Sequence, residues 1–106
     1  MVLFQCTTAY PTAAKDWGLN VLTDLKSRFK LPIGFSDHSG GITACIAAAA
    51  LGAEYLEFHV VFDKRMFGPD APASLTIDEV RELCHAVREV KNLYEMYGSI
   101  IYTYAW

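Results

Sequence analysis

Three short apolar runs, each followed by a polar loop and then a segment of helical periodicity, constrain this chain more than any other feature. The first run, Val2 to Cys6, leads into a loop, Thr7 to Thr12, where Pro11 blocks early helix formation. From about Lys15 to Phe29 the apolar residues Val21, Leu22, Leu25 and Phe29 recur at helical spacing, and Gly18 weakens that helix only locally. Pro32 closes the helix, and Ile33-Gly34-Phe35-Ser36 predicts the second strand. The turn-rich Asp37 to Gly41 precedes an alanine-heavy helix from Ile42 to Leu51, with Gly52 as its C-terminal cap glycine. Tyr55 to Phe62, aromatic and β-branched, predicts the third strand. After the longer loop Asp63 to Ser74, Thr76 and Glu79 form a capping box for a last helix. Val80, Leu83, Cys84, Val87 and Val90 make its apolar stripe.

Alternation of this kind implies parallel strands joined by helical crossovers, hence an α/β fold of the barrel or doubly wound type. Three strands are too few for either. A complete eight-fold barrel takes about 250 residues, and the chain has 106, its first strand starting almost at Met1. The expectation is therefore a fragment of a larger barrel. With 53% hydrophobic and 20% charged residues the chain is no disordered segment. Its net charge of −3 gives no reason to expect nucleic acid or an anionic membrane as partner. No apolar run reaches the roughly 18 residues of a membrane span, and Met1 to Phe4 lacks the features of a signal peptide. Cys6, Cys45 and Cys84 are odd in number, far apart and form no Cys-x-x-Cys pair. Structural cysteines in a reduced, cytoplasmic setting are expected.

Side chains alternate across a strand, so each predicted strand has two faces to compare. On the second, Gly34, Ser36 and His38 share a side against Ile33 and Phe35. On the third, Tyr55, Glu57, His59 and Val61 oppose Leu56, Phe58 and Val60. Each strand thus offers an apolar face for covering helices, and a polar face with a histidine near its C-terminal end, where barrels keep their catalytic groups. Two imidazoles on neighbouring strand ends can converge on one metal ion. With carboxylates and hydroxyls nearby and no thiolate expected, the environment suits Mn²⁺ or Mg²⁺ better than zinc. Histidines so placed are, without further information, more often satisfied core or rim residues. Asp37 has a plain role available as a cap of the following turn or helix. Glu57 needs a partner, basic or metallic, if it faces a barrel interior. His85, off the apolar stripe, is expected to face solvent. Thr7, Thr8 and Ser36 are weak candidates for holding a phosphate.

Four stretches taken together resemble the sialic acid synthase (NeuB-type) family. They are Cys6-Thr7-Thr8-Ala9-Tyr10-Pro11-Thr12, Ile33-Gly34-Phe35-Ser36-Asp37-His38, Glu57-Phe58-His59, and Gly68-Pro69-Asp70 with Ala73-Ser74-Leu75, in family order and spacing. The resemblance implies the last three β/α units of a TIM (β/α)8 barrel over residues 1–98, with 99–106 as a tail outside the family pattern. It implies a synthase condensing phosphoenolpyruvate with N-acetylmannosamine or a related N-acylated amino sugar to a nine-carbon sialic acid. In that chemistry carbon 3 of phosphoenolpyruvate attacks the sugar aldehyde, water adds at carbon 2, and phosphate leaves by carbon–oxygen cleavage. By position, His38 and His59 are the implied metal ligands and catalytic groups, with Mn²⁺ preferred over Mg²⁺. Thr8 and Ser36 match residues at the phosphate, and Tyr10 and Asp70 match residues at the sugar. A homo-oligomer, a dimer in the full-length family, is also implied. The family's first five strands and C-terminal antifreeze-like domain have no counterpart here, so the chain by itself is expected to be inactive. The alternatives are a different metal-dependent aldol-type barrel and a small non-catalytic sugar-phosphate or metal-binding α/β module.

Overall fold

The computed structural model describes residues 1–7, 18–65, 67–68, 70–94 and 99–104, and the side chains of these except at 93–94 and 99–104. Strand β1 (Leu3–Cys6) is followed by helix α1 (Leu19–Phe29), β2 (Ile33–Asp37), α2 (Thr43–Ala50) and β3 (Tyr55–Val61). A 3-10 turn (Ala71–Ala73), β4 (Leu75–Thr76), α3 (Ile77–Tyr94) and β5 (Ser99–Tyr104) complete the order. Every strand pairing is parallel. β1 lies on β2 in the register Leu3↔Ile33, and β2 lies on β3 from Gly34↔Tyr55 to Asp37↔Phe58. The chain therefore folds as consecutive β/α units, with the parallel strand order expected of a piece of an eight-fold barrel.

The odd-numbered residues of β2 and the even-numbered residues of β3 form the helix-covered face. Ile33, Phe35, Leu56, Phe58 and Val60 are all at or below 2% exposure. Leu22 from α1, Ala44, Cys45 and Ala48 from α2, and Leu83 and Val87 from α3 fill the other side of this core. Helix α2 is almost entirely small residues, which lets its backbone approach the sheet and α3 closely. It ends in a Schellman motif. The Ala53 amide donates to the Ala48 carbonyl and the Gly52 amide to that of Ala49, with Gly52 at a φ of 100°. The cap on α3 is the box expected from sequence. The Glu79 amide donates to Thr76 Oγ1 at 3.3 Å, and the Thr76 amide donates back to the Glu79 carboxylate at 3.0 Å.

Two features differ from expectation. Helix α1 begins at Leu19, because Gly18 takes a left-handed conformation (φ 67°) at the N-cap and cannot lie inside the helix; Lys15 to Trp17 lie outside the described residues. The two-residue strand β4 is too short to leave a periodic signal. The outer edge of the third strand is covered by the tail. Its side away from β2 pairs with β5, from Tyr55↔Ser99 to Val60↔Tyr104, and past the end of the β2 ladder β3 also pairs with β4 at Val60 and Val61. The strand propensity of the tail is used, since an unpaired row of backbone amides and carbonyls is satisfied best by another strand. Among the described residues β1 pairs only with β2. Among them, too, no helix is long and apolar enough to cross a membrane.

Candidate metal and substrate site at the strand ends

The face of the sheet opposite the helices is built in rows set by strand register. Cys6 on β1 pairs with Ser36 on β2, and Ser36 with Glu57 on β3. The Ser36 hydroxyl donates to the Glu57 carboxylate at 2.7 Å. Glu57 thus finds a hydroxyl partner where a basic or metallic one was expected. The next row along is His38 and His59. Their rings are tilted by 41° with centroids 5.5 Å apart, so the two imidazoles stand side by side.

His38 is 4% exposed, and its Nδ1 lies 3.0 Å from the Thr7 carbonyl oxygen. A carbonyl only accepts, so in the neutral ring Nδ1 carries the proton and Nε2 the lone pair. That is the arrangement in which a histidine is held for metal ligation, its second nitrogen fixed by a backbone acceptor. The Cys6 thiol is 3.8 Å from the same Nδ1, on the side of the ring away from Nε2. Among the described residues no group of three or more His, Cys, Asp and Glu side chains is arranged to hold a metal. The imidazole donors that the described residues bring together there are those of His38 and His59. Two such donors fit a divalent ion that keeps water or substrate oxygens in its remaining positions, rather than a closed four-ligand structural site.

Asp37 points to the other face, where it is 2% exposed. It accepts from the Ser39 amide at 2.9 Å and the Ser39 hydroxyl at 3.0 Å. Of the two capping roles open to it, it closes the turn, while α2 has Ile42 at its N-cap and no side-chain cap. Burial raises its carboxyl above the ordinary value, although the Ser39 hydrogen bonds and the Cys45 thiol pull the other way. Cys45 is buried against that carboxylate, and burial followed by the Asp37 charge pushes its thiol well up, so it is unreactive. Turn closure by Asp37 determines how the chain leaves His38.

Asp70 lies in the loop after β3, at the same end of the sheet. Its backbone carbonyl accepts from the Ala73 amide at 3.0 Å and from the Ser74 hydroxyl at 2.6 Å, and its side chain makes no capping hydrogen bond. Thr8 and Tyr10 lie outside the described residues. His85 is exposed and meets Glu89 at 3.1 Å, one helical turn on, as a solvent-facing residue does. Two features escaped sequence reasoning. One is the Thr7 carbonyl, a backbone group with no side-chain signature. The other is Lys64, which donates to the Gly40 carbonyl and pairs with Glu79 at 3.2 Å.

The NeuB family model matches residues 1–99. The chain belongs to the NeuB family. It is 43% identical over 91 residues to N,N'-diacetyllegionaminic acid synthase of Campylobacter jejuni, an alignment covering 86% of this chain and 27% of that protein. With human N-acetylneuraminate-9-phosphate synthase it shares 44% identity over 88 residues, 82% of this chain and 24% of the relative. The structure of an N-acetylneuraminic acid synthetase from Leptospira borgpetersenii, in complex with citrate, superposes with a TM-score of 0.83 at 33% identity. That match covers 88% of this chain and 33% of the synthetase. This NeuB-family chain thus spans about a quarter of the length of the curated relatives it matches.

Proposed function

We propose that this chain carries the metal-binding and part of the substrate-binding wall of a synthase that condenses phosphoenolpyruvate with N-acetylmannosamine or a related N-acylated amino sugar. The single observation that carries the reading is the convergence of His38 and His59 at the ends of adjacent parallel strands, with the His38 tautomer fixed by Thr7. A bound divalent ion, Mn²⁺ before Mg²⁺, would supply Lewis acidity toward the sugar aldehyde. His38 presents Nε2 and His59 its imidazole as ligands. Ser36 and Thr8 are assigned to the phosphate of phosphoenolpyruvate, with the Ser36 hydroxyl oriented by Glu57. Tyr10 and Asp70 are assigned to the sugar, and the uncommitted Asp70 carboxylate supports this. Lacking most of the wall around the site, the chain by itself turns over no substrate. The three free cysteines support a cytoplasmic setting, and a homo-oligomer is the proposed assembly.

The experiment is a transplant. Residues 1–99 replace the matching segment of the Campylobacter N,N'-diacetyllegionaminic acid synthase, and phosphate release from phosphoenolpyruvate is followed with and without that enzyme's amino sugar. The chimera is expected to release phosphate only with the sugar, and His38→Ala or His59→Ala to abolish release. Undiminished release in both variants would remove the assignment. A second reading, a non-catalytic metal-binding α/β module, is favoured by β5, which completes the edge of β3 within the chain. It predicts that the chimera is inert while the chain still takes up Mn²⁺.

A further inference from the structure

Pairing between β2 and β3 stops short of the two histidines. The last pair of that ladder is Asp37↔Phe58, so His38 stands one residue beyond it, whereas His59 stays within β3, held opposite Thr103 of β5. The distance between their rings is then set from the His38 side, by the loop that follows it, and that loop meets the one after β3. Those loops are tied at two points. Lys64, five residues after His59, donates from its ammonium to the Gly40 carbonyl, two residues after His38. Gly40 itself, at a φ of 80°, packs so closely on the Pro72 carbonyl that a Cβ would come within 2.3 Å of that oxygen.

The ammonium is itself anchored. Lys64 pairs with the Glu79 carboxylate at 3.2 Å, and Glu79 is locked by its reciprocal bonds with Thr76 at the start of α3. The Lys64 side chain is 36% exposed and that of Glu79 30%, so the pair is more sheltered than the Arg28–Asp24 pair at 65% and 59%. A charge-assisted bond to a carbonyl in that setting is stronger and more directional than a solvated surface contact.

We propose that Lys64 is a positioning residue for the His38–His59 pair. Held by Glu79, its ammonium fixes the Gly40 carbonyl, and through the short Ser39 turn it sets where His38 meets His59. The proposal rests on reading the pair as a divalent-cation site. It does not require Lys64 to touch the ion or a substrate.

The test uses the full chain and Mn²⁺ alone as probe. Lys64→Met removes the ammonium and keeps the apolar stem. Its Mn²⁺ affinity is expected to fall about tenfold, as when an outer partner of a metal ligand is lost. The imidazole nitrogen resonances of His38 and His59 should move in the metal-free chain while those of His85 stay. Lys64→Arg, which keeps a cation in reach of both acceptors, should recover most of the affinity. Should Lys64→Met fail to fold, Glu79→Gln leaves the ammonium in place but loosens its anchor, and a smaller loss of affinity is expected. A folded Lys64→Met chain with wild-type affinity and unmoved His38 signals overturns the positioning role and leaves the cation site standing. A wild-type chain that takes up no Mn²⁺ overturns both.

Discussion

The two faces of β3 do different work with alternate residues of one seven-residue strand. Leu56, Phe58 and Val60 are sealed under helices α2 and α3, whereas Tyr55, Glu57 and His59 are only half-buried. On the first face the stabilising term is apolar area removed from water and close packing. On the second it is a few hydrogen bonds whose net worth is small, and whose geometry matters more than their energy. Stability and chemistry are thereby separated by a single residue step along the backbone. Changes on one face should leave the other's property largely alone.

The largest expected effect tests that separation directly. Phe58→Ala opens a cavity in the core and should cost about 3–5 kcal/mol, seen as a large drop in denaturation midpoint. Glu57→Gln, its neighbour on the opposite face, keeps an acceptor for Ser36 and should cost about 1 kcal/mol or less. Equal losses would mean that the polar face is a second core. Gly40→Ala is the next largest. Its left-handed φ and the Pro72 carbonyl leave no room for a Cβ, so about 1–3 kcal/mol should be lost. That result would sharpen the comparison, since it places strain in the loop beside the histidines rather than in the sheet.

The α3 cap gives a smaller, pH-dependent effect. Burial alone would raise the Glu79 carboxyl, but the Thr76 amide and then the Lys64 ammonium outweigh it, and the net shift is below the ordinary value of 4.5. A carboxyl lowered in the fold contributes stability above its unfolded value, and loses it as pH falls through the folded one. Glu79→Gln should therefore cost up to about 1 kcal/mol at neutral pH. Its difference from wild type should shrink as the pH drops below 4.5, as followed by acid-dependent thermal melts. A constant difference would exclude the charge as its source. The smallest effect is expected at Asp70. Asp70→Ala should change stability by less than about 0.5 kcal/mol, because its side chain caps nothing. In the chimeric synthase the same change should raise the Michaelis constant for the amino sugar more than that for phosphoenolpyruvate.

Much of this was legible in the sequence, for reasons that differ by residue. The period-2 alternation of Tyr55 to Val61 and the helical stripe from Val80 to Val90 are local patterns, and they identified β3 and α3 with their buried faces. Thr76 and Glu79 carry their own spacing signal, as does Gly52. The pairing of His38 with His59 needed only parallel neighbouring strands and position near the strand ends. What stayed hidden depends on contacts between distant segments. Register alone puts Ser36 opposite Glu57, and two loops must meet before Lys64 can reach Gly40. The covering of β3 by β5 was only half visible. Strand propensity in Ile100 to Tyr104 pointed to a strand able to cover one outer edge, but not to which edge it would take.

The central claim is that His38 and His59 form one divalent-cation site. It is tested most directly by titrating the chain with Mn²⁺ and reading bound ion by electron paramagnetic resonance, for wild type, His38→Ala, His59→Ala and, as control, His85→Ala. The account predicts one ion per chain in wild type and in the His85 variant, and loss of binding in each of the other two. Binding that survives both His38→Ala and His59→Ala would contradict it.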